Sequence, residues 1–274
     1  MNNRSIFYFF EGSFPHGMAM AKRLFLYTKA LEEVGIKQLV FAAKPKNTDQ
    51  PGLNTYNGIR FINSINYFSS SKNFIIRRVG LLLTDILTFI SSYKYMIKYD
   101  VVFYVGESWI KVLFFKIICL VTDKKLVIEL NEHPYITYGD RRLNFKLISS
   151  VNQFLSLNIF YKGIDGFVVI STNLNDLLIK KGYKKERIIK IPILVDSATS
   201  NIKKRDFSKP FLFHAGTLNE NKDGIVYVFQ AFARIVKEFP EVKFVLTNKT
   251  TISSTLQKIF QIISENKIGK ILFF

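Results

Sequence analysis

A ten-residue loop in the last quarter of the chain combines glycines with a lysine. The loop reads AGTLNENKDG and contains Gly216, Lys222 and Gly224. Glycines let the backbone approach a ligand closely, and the amino end of a following helix offers free N–H groups to an anion. Lys222 would add a full positive charge, so we predict that this loop binds the diphosphate of a ligand. The spacing is not the G-x-x-x-x-G-K-S/T of nucleotide hydrolases, which disfavours hydrolysis.

A second glycine loop lies near the start of the chain. It reads EGSFPHG and contains Gly12, His16 and Gly17. It follows the first predicted strand and opens onto the first predicted helix, which is where open α/β sheets bind ligands. We therefore predict a cleft for an acceptor or a sugar at this loop, with a plain tight turn as the alternative. The glycine spacing differs from the G-x-G-x-x-G of dinucleotide-binding domains, so it gives little support to NAD binding.

The three histidines, His16, His133 and His214, each fall at or just beyond the end of a predicted strand. Ligands bind at such ends in α/β proteins, although a lone histidine is often a hydrogen-bonded structural residue. We interpret His214 as structural. Alternation along a strand would send Glu129 and Glu132 to opposite faces, so we do not interpret these two carboxylates as a catalytic pair.

Short apolar strands alternate with longer helical patterns along the chain. Such alternation is typical of parallel sheets built from strand–helix–strand units, so the sequence predicts an α/β fold with a doubly wound first domain. Predicted helices of this domain include Met18–Val34 and Thr172–Lys181. The predicted strands are Ile6–Phe10, Gln38–Ala42, Gly58–Ile62, Val101–Val105, Leu126–Leu130, Gly166–Ile170 and Ile188–Ile191.

A polar stretch, residues 196–209, is poor in apolar side chains and is typical of a linker between domains. After it, the order of elements at the start of the chain is repeated. We therefore predict two Rossmann-like domains in tandem, at 1–195 and 210–274, with the second incomplete. The repeated elements are a strand Phe211–His214, the glycine loop, a helix Ile225–Phe239 and a strand Val242–Leu246.

The composition limits the partners. The 274 residues carry a formal net charge of +18, and 48% of them are hydrophobic, as in a folded globular protein. The charge attracts an anionic partner, or it only reflects a lysine-rich composition. Basic residues are scattered in pairs and no nucleic-acid-binding motif occurs, so we exclude nucleic acid as a partner. The only cysteine, Cys119, cannot form a disulfide framework, which fits a reducing compartment.

An apolar segment at 79–96 is interrupted by Asp85, two serines and Lys94, so its apolar run is too short to span a bilayer. Basic residues flank it, and Lys111 and Lys116 lie on a second apolar helix. We expect weak binding to an anionic membrane surface, with packing of the helix on a sheet as the alternative. The first residues lack the apolar region and cleavage site of a signal peptide. We therefore expect a cytoplasmic protein, peripheral on the inner face of the cell membrane.

Three stretches resemble the family 4 glycosyltransferases, in the order in which that family has them. The stretch FLFHAGTLNENKDGIVYVFQAFARIVKEFPEVKFVL resembles the opening of their donor-binding domain. Upstream, GFVVISTNLNDLLIKKGYKKERIIKIPILVD resembles the end of their first domain, and FPHGMAMAKRLFLYTKALEEVGIKQLVFA resembles their first glycine loop and helix. The resemblance implies a GT-B fold, truncated within the donor-binding domain.

The resemblance also implies the reaction, which is transfer of a sugar from a nucleotide-diphosphate sugar to an acceptor hydroxyl with retention of anomeric configuration. His133 is then the catalytic residue that contacts the sugar, and Glu132 lies with the first glycine loop in the acceptor or sugar cleft. Acceptors would be saccharides or lipid-linked saccharides, in cell-surface polysaccharide or glycolipid synthesis. No Asp-x-Asp pair occurs, so we expect no metal, and no cofactor apart from the nucleotide sugar as co-substrate.

The chain departs from that family's pattern in its donor loop. Thr217 stands where an arginine commonly follows the glycine, and Asp223 is inserted between Lys222 and Gly224. The family's two characteristic glutamates do not occur before Phe274. We therefore expect that this chain does not turn over at a normal rate. Two alternatives stay open, a catalytically inactive truncated remnant and a sugar-nucleotide epimerase of the same fold.

Overall fold

The computed structural model describes residues 4–17, 19–45, 49–65, 74–106, 108–132, 151, 154–196, 210–216, 218, 220, 224–247, 254–266, 268 and 271–273. These residues fall into two compact units, one of residues up to 196 and one of residues from 210 onwards. Each unit contains parallel strands and helices, which confirms the predicted α/β class.

The first unit is built on an eight-stranded sheet. Its strands are β1 (Ile6–Phe10), β2 (Gln38–Ala42), β3 (Gly52–Tyr56), β4 (Ile59–Asn63), β5 (Val101–Val105), β6 (Lys125–Leu130), β7 (Gly166–Val169) and β8 (Ile188–Lys190). They lie in the order β3-β4-β2-β1-β5-β6-β7-β8, and all neighbours are parallel except β3 and β4. Every predicted strand of this domain is present, with ends shifted by one residue at most.

The central strands are apolar because both of their faces are covered. β1 reads IFYFF and β5 reads VVFYV, the aromatic and β-branched residues that favour strands. Successive side chains alternate between two cores. Phe7 and Phe9 lie in one, and Tyr8 and Phe10 lie in the other. A parallel sheet buried on both faces needs such continuous apolar strands.

Helices cover the two faces of this sheet unequally. They are α1 (Ala19–Glu33), α2 (Phe74–Met96), α3 (Trp109–Val121) and α4 (Thr172–Lys180), with a π-helical turn at Ser156–Phe160. Helix α1 packs on the face of Tyr8, whereas α2, α3 and α4 pack on the face of Phe9. Among the described residues, no helix is long and apolar enough to cross a bilayer.

Strand β3 is absent from the predicted elements. It pairs antiparallel with β4 in a hairpin whose two turn residues are Asn57 and Gly58, with φ angles of 46° and 82°. Asn-Gly is the dipeptide that two-residue hairpins favour, because both positions require positive φ. The strand is an edge strand with exposed polar residues, so it lacks the apolar run by which the other strands are recognised.

The second unit has a three-stranded parallel sheet. Its elements are β9 (Phe211–Ala215), α5 (Ile225–Glu238), β10 (Lys243–Thr247), α6 (Ser254–Glu265) and β11 (Ile271–Phe273), and the sheet order is β11-β10-β9. Its core forms where Phe229 and Phe232 of α5 meet Phe244 of β10, with ring centroids 5.0 and 5.1 Å apart. Ile259 of α6 joins the same cluster.

Candidate functional site

The strand order of the first sheet reverses beside β1. Strands β2 and β4 follow on one side of it, and β5 to β8 follow on the other. The loops that leave the carboxyl ends of β1 and β5, beginning at Glu11 and Gly106, therefore diverge at this point. Ligands of open α/β sheets bind outside the carboxyl ends of the strands at such a switch point. The predicted first loop, with Gly12, His16 and Gly17, begins here.

A network of charged side chains connects these two loops. Lys111 of α3 places its Nζ 2.7 Å from Glu11 Oε1 and 2.9 Å from Asp85 Oδ1 of α2. The Tyr104 hydroxyl, near the end of β5, donates to Glu11 Oε1 at 3.1 Å and accepts from the Ser108 N–H at 2.9 Å. The side chains of Lys111 and Glu11 are about nine-tenths buried. The site therefore holds a fixed ammonium and a fixed carboxylate at the switch point.

The contacts of Lys111 and Tyr104 determine the protonation state of each side chain. Burial lowers the pKa of Lys111, but its contacts with Glu11 and Asp85 outweigh burial and the pKa lies above its ordinary value. Burial, together with the charge of Glu11, raises the pKa of the Tyr104 hydroxyl well above its usual range. At neutral pH, Lys111 is a cation and Tyr104 is a neutral hydrogen-bond donor.

Both predicted glycines of the first loop stand where a side chain would clash. A Cβ atom at Gly12 would lie 2.5 Å from Cζ of the Phe10 ring. A Cβ atom at Gly17 would lie 2.5 Å from Cβ of Ala21 and would also overlap the carbonyl oxygen of Ser13. Gly17 thus lets the loop fold closely onto the first turn of α1, where N–H groups of the helix are free. The close approach therefore explains both glycines, and the role of the loop in binding stays a prediction.

His16 lies on the exposed side of the same loop. Its ring packs edge-on against Tyr56 of β3, with ring centroids 4.8 Å apart. The loop is anchored by Phe14, which is buried and packs edge-on against Phe61 of β4 at 5.4 Å. His16 therefore remains accessible on an anchored loop.

Glu129 is part of a buried structural cluster. Its Oε1 lies 2.6 Å from Nε of Arg23 and accepts from the Tyr27 hydroxyl at 3.0 Å. The Arg23 guanidinium also donates to the carbonyl oxygens of Ile191, at 2.5 Å, and Pro192. Burial raises the pKa of Glu129, and the bonds from Arg23 and Tyr27 only partly oppose this. Through Arg23, the cluster thus ties α1 to β6 and to the segment after β8.

Of three further predicted residues, Glu132, His133 and Lys222, the structure describes only the first. Glu132 lies two residues beyond the end of β6 and is exposed. His133, the predicted catalytic residue, and Lys222, the predicted diphosphate ligand, both lie outside the described residues. Their roles therefore stay predictions.

The glycines of the second loop take unusual backbone conformations. Gly216 has a φ of 156° and Gly224 a φ of 61°, and Gly224 immediately precedes α5. Among the described residues, the Nε2 atom of His214 is buried and has no hydrogen-bond partner, and a Cβ atom at Gly216 would lie 3.6 Å from it. The ring thus lacks, at this nitrogen, the bond expected of a structural histidine. It adds a polar group beside the loop.

Sequence reasoning missed Glu11 and misplaced Lys111. The expectation that Lys111 faces a membrane is wrong, because its side chain is buried and paired with two carboxylates. Glu11 had a recognisable signal, since it is the first residue after an apolar strand that opens a glycine loop. Nothing local marks Lys111 as its partner, because the two residues are 100 positions apart in the sequence.

Comparison with known proteins shows similarity in fold. No protein-family model matches the chain, and no curated protein matches it. The sucrose-phosphate synthase of Thermosynechococcus elongatus superposes with a TM-score of 0.68 at 13% identity, over 99% of this chain and 70% of that one. HepE of Anabaena, solved with UDP and glucose, gives 0.61 at 13% identity, over 99% and 69%. A Listeria monocytogenes protein described as a UDP-N-acetylglucosamine 2-epimerase gives 0.59 at 11% identity, over 100% and 69%.

These similarities establish the architecture. Glycosyltransferases and an epimerase of the GT-B class share it across nearly the whole chain. The chain has the GT-B fold. At identities this low the likeness shows the fold alone, so the reaction must be argued from the site.

Proposed function

We propose that the protein transfers a sugar from a nucleotide-diphosphate sugar to an acceptor hydroxyl. The observation that carries the proposal is the first glycine loop at the switch point, where Glu11 and Lys111 hold fixed charges. The proposal is supported by the fold, which this chain shares with HepE, solved with UDP-glucose. Fixed donors and charges at the ligand-binding edge are suited to orient sugar hydroxyls before any reaction begins.

The second unit would bind the donor's diphosphate. In a sugar transfer, negative charge develops on the departing diphosphate, and free N–H groups at a helix start stabilise it. Gly216 and Gly224 have φ angles of 156° and 61°, which residues with side chains rarely adopt, and Gly224 directly precedes α5. Lys222 would supply the cation, and the unpartnered Nε2 of His214 would accept or donate one more hydrogen bond.

The stereochemistry, the metal independence and the acceptor class that we propose rest on the resemblance to family 4 glycosyltransferases. We propose membership of that family, with a retaining, metal-independent reaction in cell-surface polysaccharide or glycolipid synthesis. His133 and Glu132 would contact the sugar, and the acceptor would be a saccharide or a lipid-linked saccharide. No cofactor beyond the nucleotide sugar is proposed.

Product analysis tests the reaction. The full chain is incubated with a panel of nucleotide sugars and with soluble or lipid-linked acceptors, and binding of UDP and UDP-glucose is measured by saturation-transfer NMR in parallel. A new glycoside supports the transferase. Binding without any product supports the inactive remnant, and absence of both binding and product would overturn nucleotide-sugar use.

Glu11 offers a matched pair of variants because Lys111 has two carboxylate partners. Glu11→Gln removes the partner at the switch point, and Asp85→Asn removes the partner on α2, which is half exposed. We expect E11Q to lower the rate of transfer at least about tenfold, as when one fixed charge that orients a substrate is lost, and D85N to lower it much less. Equal effects of the two variants would assign Glu11 a structural role only.

A second reaction class, epimerisation of a sugar nucleotide, is favoured by one observation. The likeness to the Listeria protein described as an epimerase covers the chain as completely as the likeness to the transferases does. An epimerase would return free nucleotide with an altered sugar and would need no acceptor. Analysis of the nucleotide-sugar pool without acceptor therefore distinguishes the two reactions.

We also propose that the protein lies on an anionic membrane surface through α2 and α3. Phe89 of α2 and Phe114 of α3 contact each other with ring centroids 5.2 Å apart, so the helices are neighbours. Lys94 and Lys98, at the end of α2, are exposed beside the apolar side chains and would meet anionic headgroups. Exposed apolar residues on these helices are Leu83, Ile86, Leu87, Ile90, Ile110, Phe114, Ile117, Leu120 and Val121.

Vesicle co-sedimentation tests the membrane proposal. Wild type should bind phosphatidylglycerol vesicles at low salt and lose binding as salt increases. Ile90→Glu with Phe114→Glu should abolish binding, whereas Leu53→Glu with Ile189→Glu, on exposed apolar residues away from the two helices, should not. Absence of binding by the wild type at low salt would remove the membrane role.

A further inference from the structure

We infer that the first unit binds a phosphate-bearing polyanion in a basic pocket at the edge of its sheet where the parallel strands begin. The pocket has a volume of about 250 Å³ and lies between the turn before β7 and the turn before β8. Lys162, Lys181, Lys184 and Arg187 line it, and no acidic residue does. The volume is several times that of a water molecule, about 30 Å³ in the liquid, so the pocket has room for more than one phosphate group.

The pocket is separate from the proposed sugar-transfer site. Parallel strands all start at one edge of a sheet and end at the other, and this pocket lies at the starts of β7 and β8. The switch-point loops lie at the opposite edge, beyond the ends of β1 and β5, and five residues of strand span about 15 Å. A phosphate bound here cannot be the leaving group of a reaction at the opposite edge. The site therefore adds a binding function to the proposed one.

The four cations are not neutralised by the described part of the protein. None of them forms an ion pair there. Two acids adjoin lining residues in the sequence: Asp165 contacts Lys125 at 3.3 Å and the Leu126 N–H at 3.0 Å, and Glu186 does not line the pocket. Four like charges around one pocket repel each other, and an anion bound among them would remove that repulsion.

The walls of the pocket are held in place by hydrogen bonds to the backbone. Arg187 Nη1 donates to the Ile164 carbonyl at 3.2 Å, which joins the two turns directly. A fifth cation, Lys116 of α3, donates from Nζ to the Lys162 carbonyl at 2.5 Å. The Tyr183 hydroxyl donates to the Leu157 carbonyl at 2.5 Å. These bonds fix the backbone of the turns and one guanidinium nitrogen of Arg187 before any ligand arrives, which lowers the entropic cost of binding.

A structural explanation accounts for only one of the lysines. Lysines are favoured in the last turn of a helix because they complement its dipole, and Lys181 directly follows α4. Lys162 follows the π-helical turn and lies in another turn, and Lys184 and Arg187 lie beyond the glycine that ends α4. Three segments of different structure thus bring cations to one pocket.

The ligand chemistry is a chain or cluster of phosphate groups with several negative charges. Lysines bind phosphate as point charges and arginine binds it with paired N–H groups. Such groups come either free in solution, as in inorganic polyphosphate, or on the headgroups of anionic phospholipids. Inorganic tripolyphosphate and phosphatidylglycerol vesicles are the two probes.

The test compares two triple variants of the full chain that lose the same charge. Lys162→Gln, Lys181→Gln and Lys184→Gln remove three lysines from the pocket, and Lys22→Gln, Lys237→Gln and Lys243→Gln remove three exposed lysines elsewhere. Thermal denaturation checks that both variants fold. If the pocket triple variant does not fold, the single variant Lys184→Glu replaces it. Tripolyphosphate is titrated by calorimetry, and the Gly163 and Gly182 amides are followed by NMR.

Tripolyphosphate should bind the wild type and shift the NMR signals of both amides. Its affinity should fall about tenfold in the pocket triple variant and less than about twofold in the control triple variant. That result assigns a free polyphosphate as ligand. The same pattern with phosphatidylglycerol vesicles, and none with tripolyphosphate or phosphatidylcholine, assigns a lipid headgroup. Equal losses in the two triples, or no binding of either probe by the wild type, would overturn the inference.

Discussion

The two units begin with the same order of elements, a strand, a glycine loop and a helix, but they are packed differently. In the first unit, described helices cover both faces of the sheet, and β1 is almost fully buried. In the second, α5 and α6 join a single cluster on the face of Phe244 and Leu246. On β9, Phe213 points to the opposite face and is 56% exposed. The opening strand is therefore buried in the first unit, whereas β9, at an edge of the three-stranded sheet, is largely exposed on both faces.

The glycine loops differ in the same way. The first is fixed from within by the Glu11–Lys111 pair and by the buried ring of Phe14. In the described part of the second loop, Gly224 caps α5 without a side-chain hydrogen bond, and His214 Nε2 has no partner. The first loop is therefore preorganised by contacts within the protein, whereas the described part of the second unit leaves a polar nitrogen without a protein partner beside its loop.

The largest effect is expected from the buried ion pair of the first unit. Arg23→Met leaves the Glu129 carboxylate buried without its main partner, which typically costs about 3 to 5 kcal/mol. Hydrogen exchange should then show faster opening of α1 and β6, and denaturant unfolding should show the lost free energy.

The matched control lies in the second unit. Lys258 and Glu220 form an ion pair at 2.8 Å, but Lys258 is half exposed. Lys258→Met should cost only about 0 to 1 kcal/mol because exposed pairs are screened by water. If both variants cost the same, the contrast between a buried first unit and an exposed second unit would fail.

The second prediction concerns ligand binding by the second unit. Lys222→Ala should weaken binding of a nucleoside diphosphate by about 1.5 to 3 kcal/mol, the usual scale of a charge-assisted hydrogen bond. Lys237→Ala, an exposed lysine at the far end of α5, should leave binding unchanged. Calorimetry measures both, and equal affinities of wild type and K222A would remove Lys222 from the site.

The sequence was sufficient to predict most strands and helices because their signals are local. The apolar runs of β1 and β5 and the helical spacing of α1 depend only on near neighbours in the sequence. The edge strand β3 was missed since its alternation is weak, although the Asn57-Gly58 turn beside it was a usable signal. Weighting that dipeptide above the missing apolar run would have identified the hairpin.

The candidate site was less predictable because its decisive contacts are long-range. Glu11, Asp85 and Lys111 come from three segments, and no local pattern shows that they meet. Lys111 lies among apolar residues of α3, a pattern that also fits a helix on a membrane. Only the tertiary packing of α3 against β5 and α2 distinguishes a buried ion pair from a lipid contact.

The third prediction sharpens the comparison through pH. Both the N–H and the hydroxyl of Ser5 donate to Asp100 Oδ2 at 2.8 Å, joining the residues that precede β1 and β5. These two bonds lower the pKa of Asp100 below its ordinary value. The second unit has Pro210 before β9, and proline has no N–H to donate.

The lowered pKa makes the first unit sensitive to acid. The stabilisation is present above the unfolded pKa of about 3.9 and is lost as pH falls through the lower folded value. Asp100→Asn should therefore destabilise the protein at pH 7, by less than about 1 kcal/mol because the exposed carboxylate is screened by water, and progressively less below about pH 4. Denaturation of both proteins between pH 3 and pH 7 measures this, and a difference that is constant with pH would contradict the assignment.

The smallest effect is expected at β9. Phe9 and Phe213 occupy the opening strands of the two units, but Phe9 is 1% exposed and Phe213 is 56% exposed. Phe9→Ala should cost about 3 to 5 kcal/mol because it leaves a cavity in a packed core. Phe213→Ala should change stability by no more than about 0.5 kcal/mol, as for an exposed side chain with few contacts. Denaturant unfolding, with hydrogen exchange to assign each loss to its unit, provides the comparison. A cost above about 2 kcal/mol for F213A would require that its face is covered in solution, since no exposed ring contributes that much.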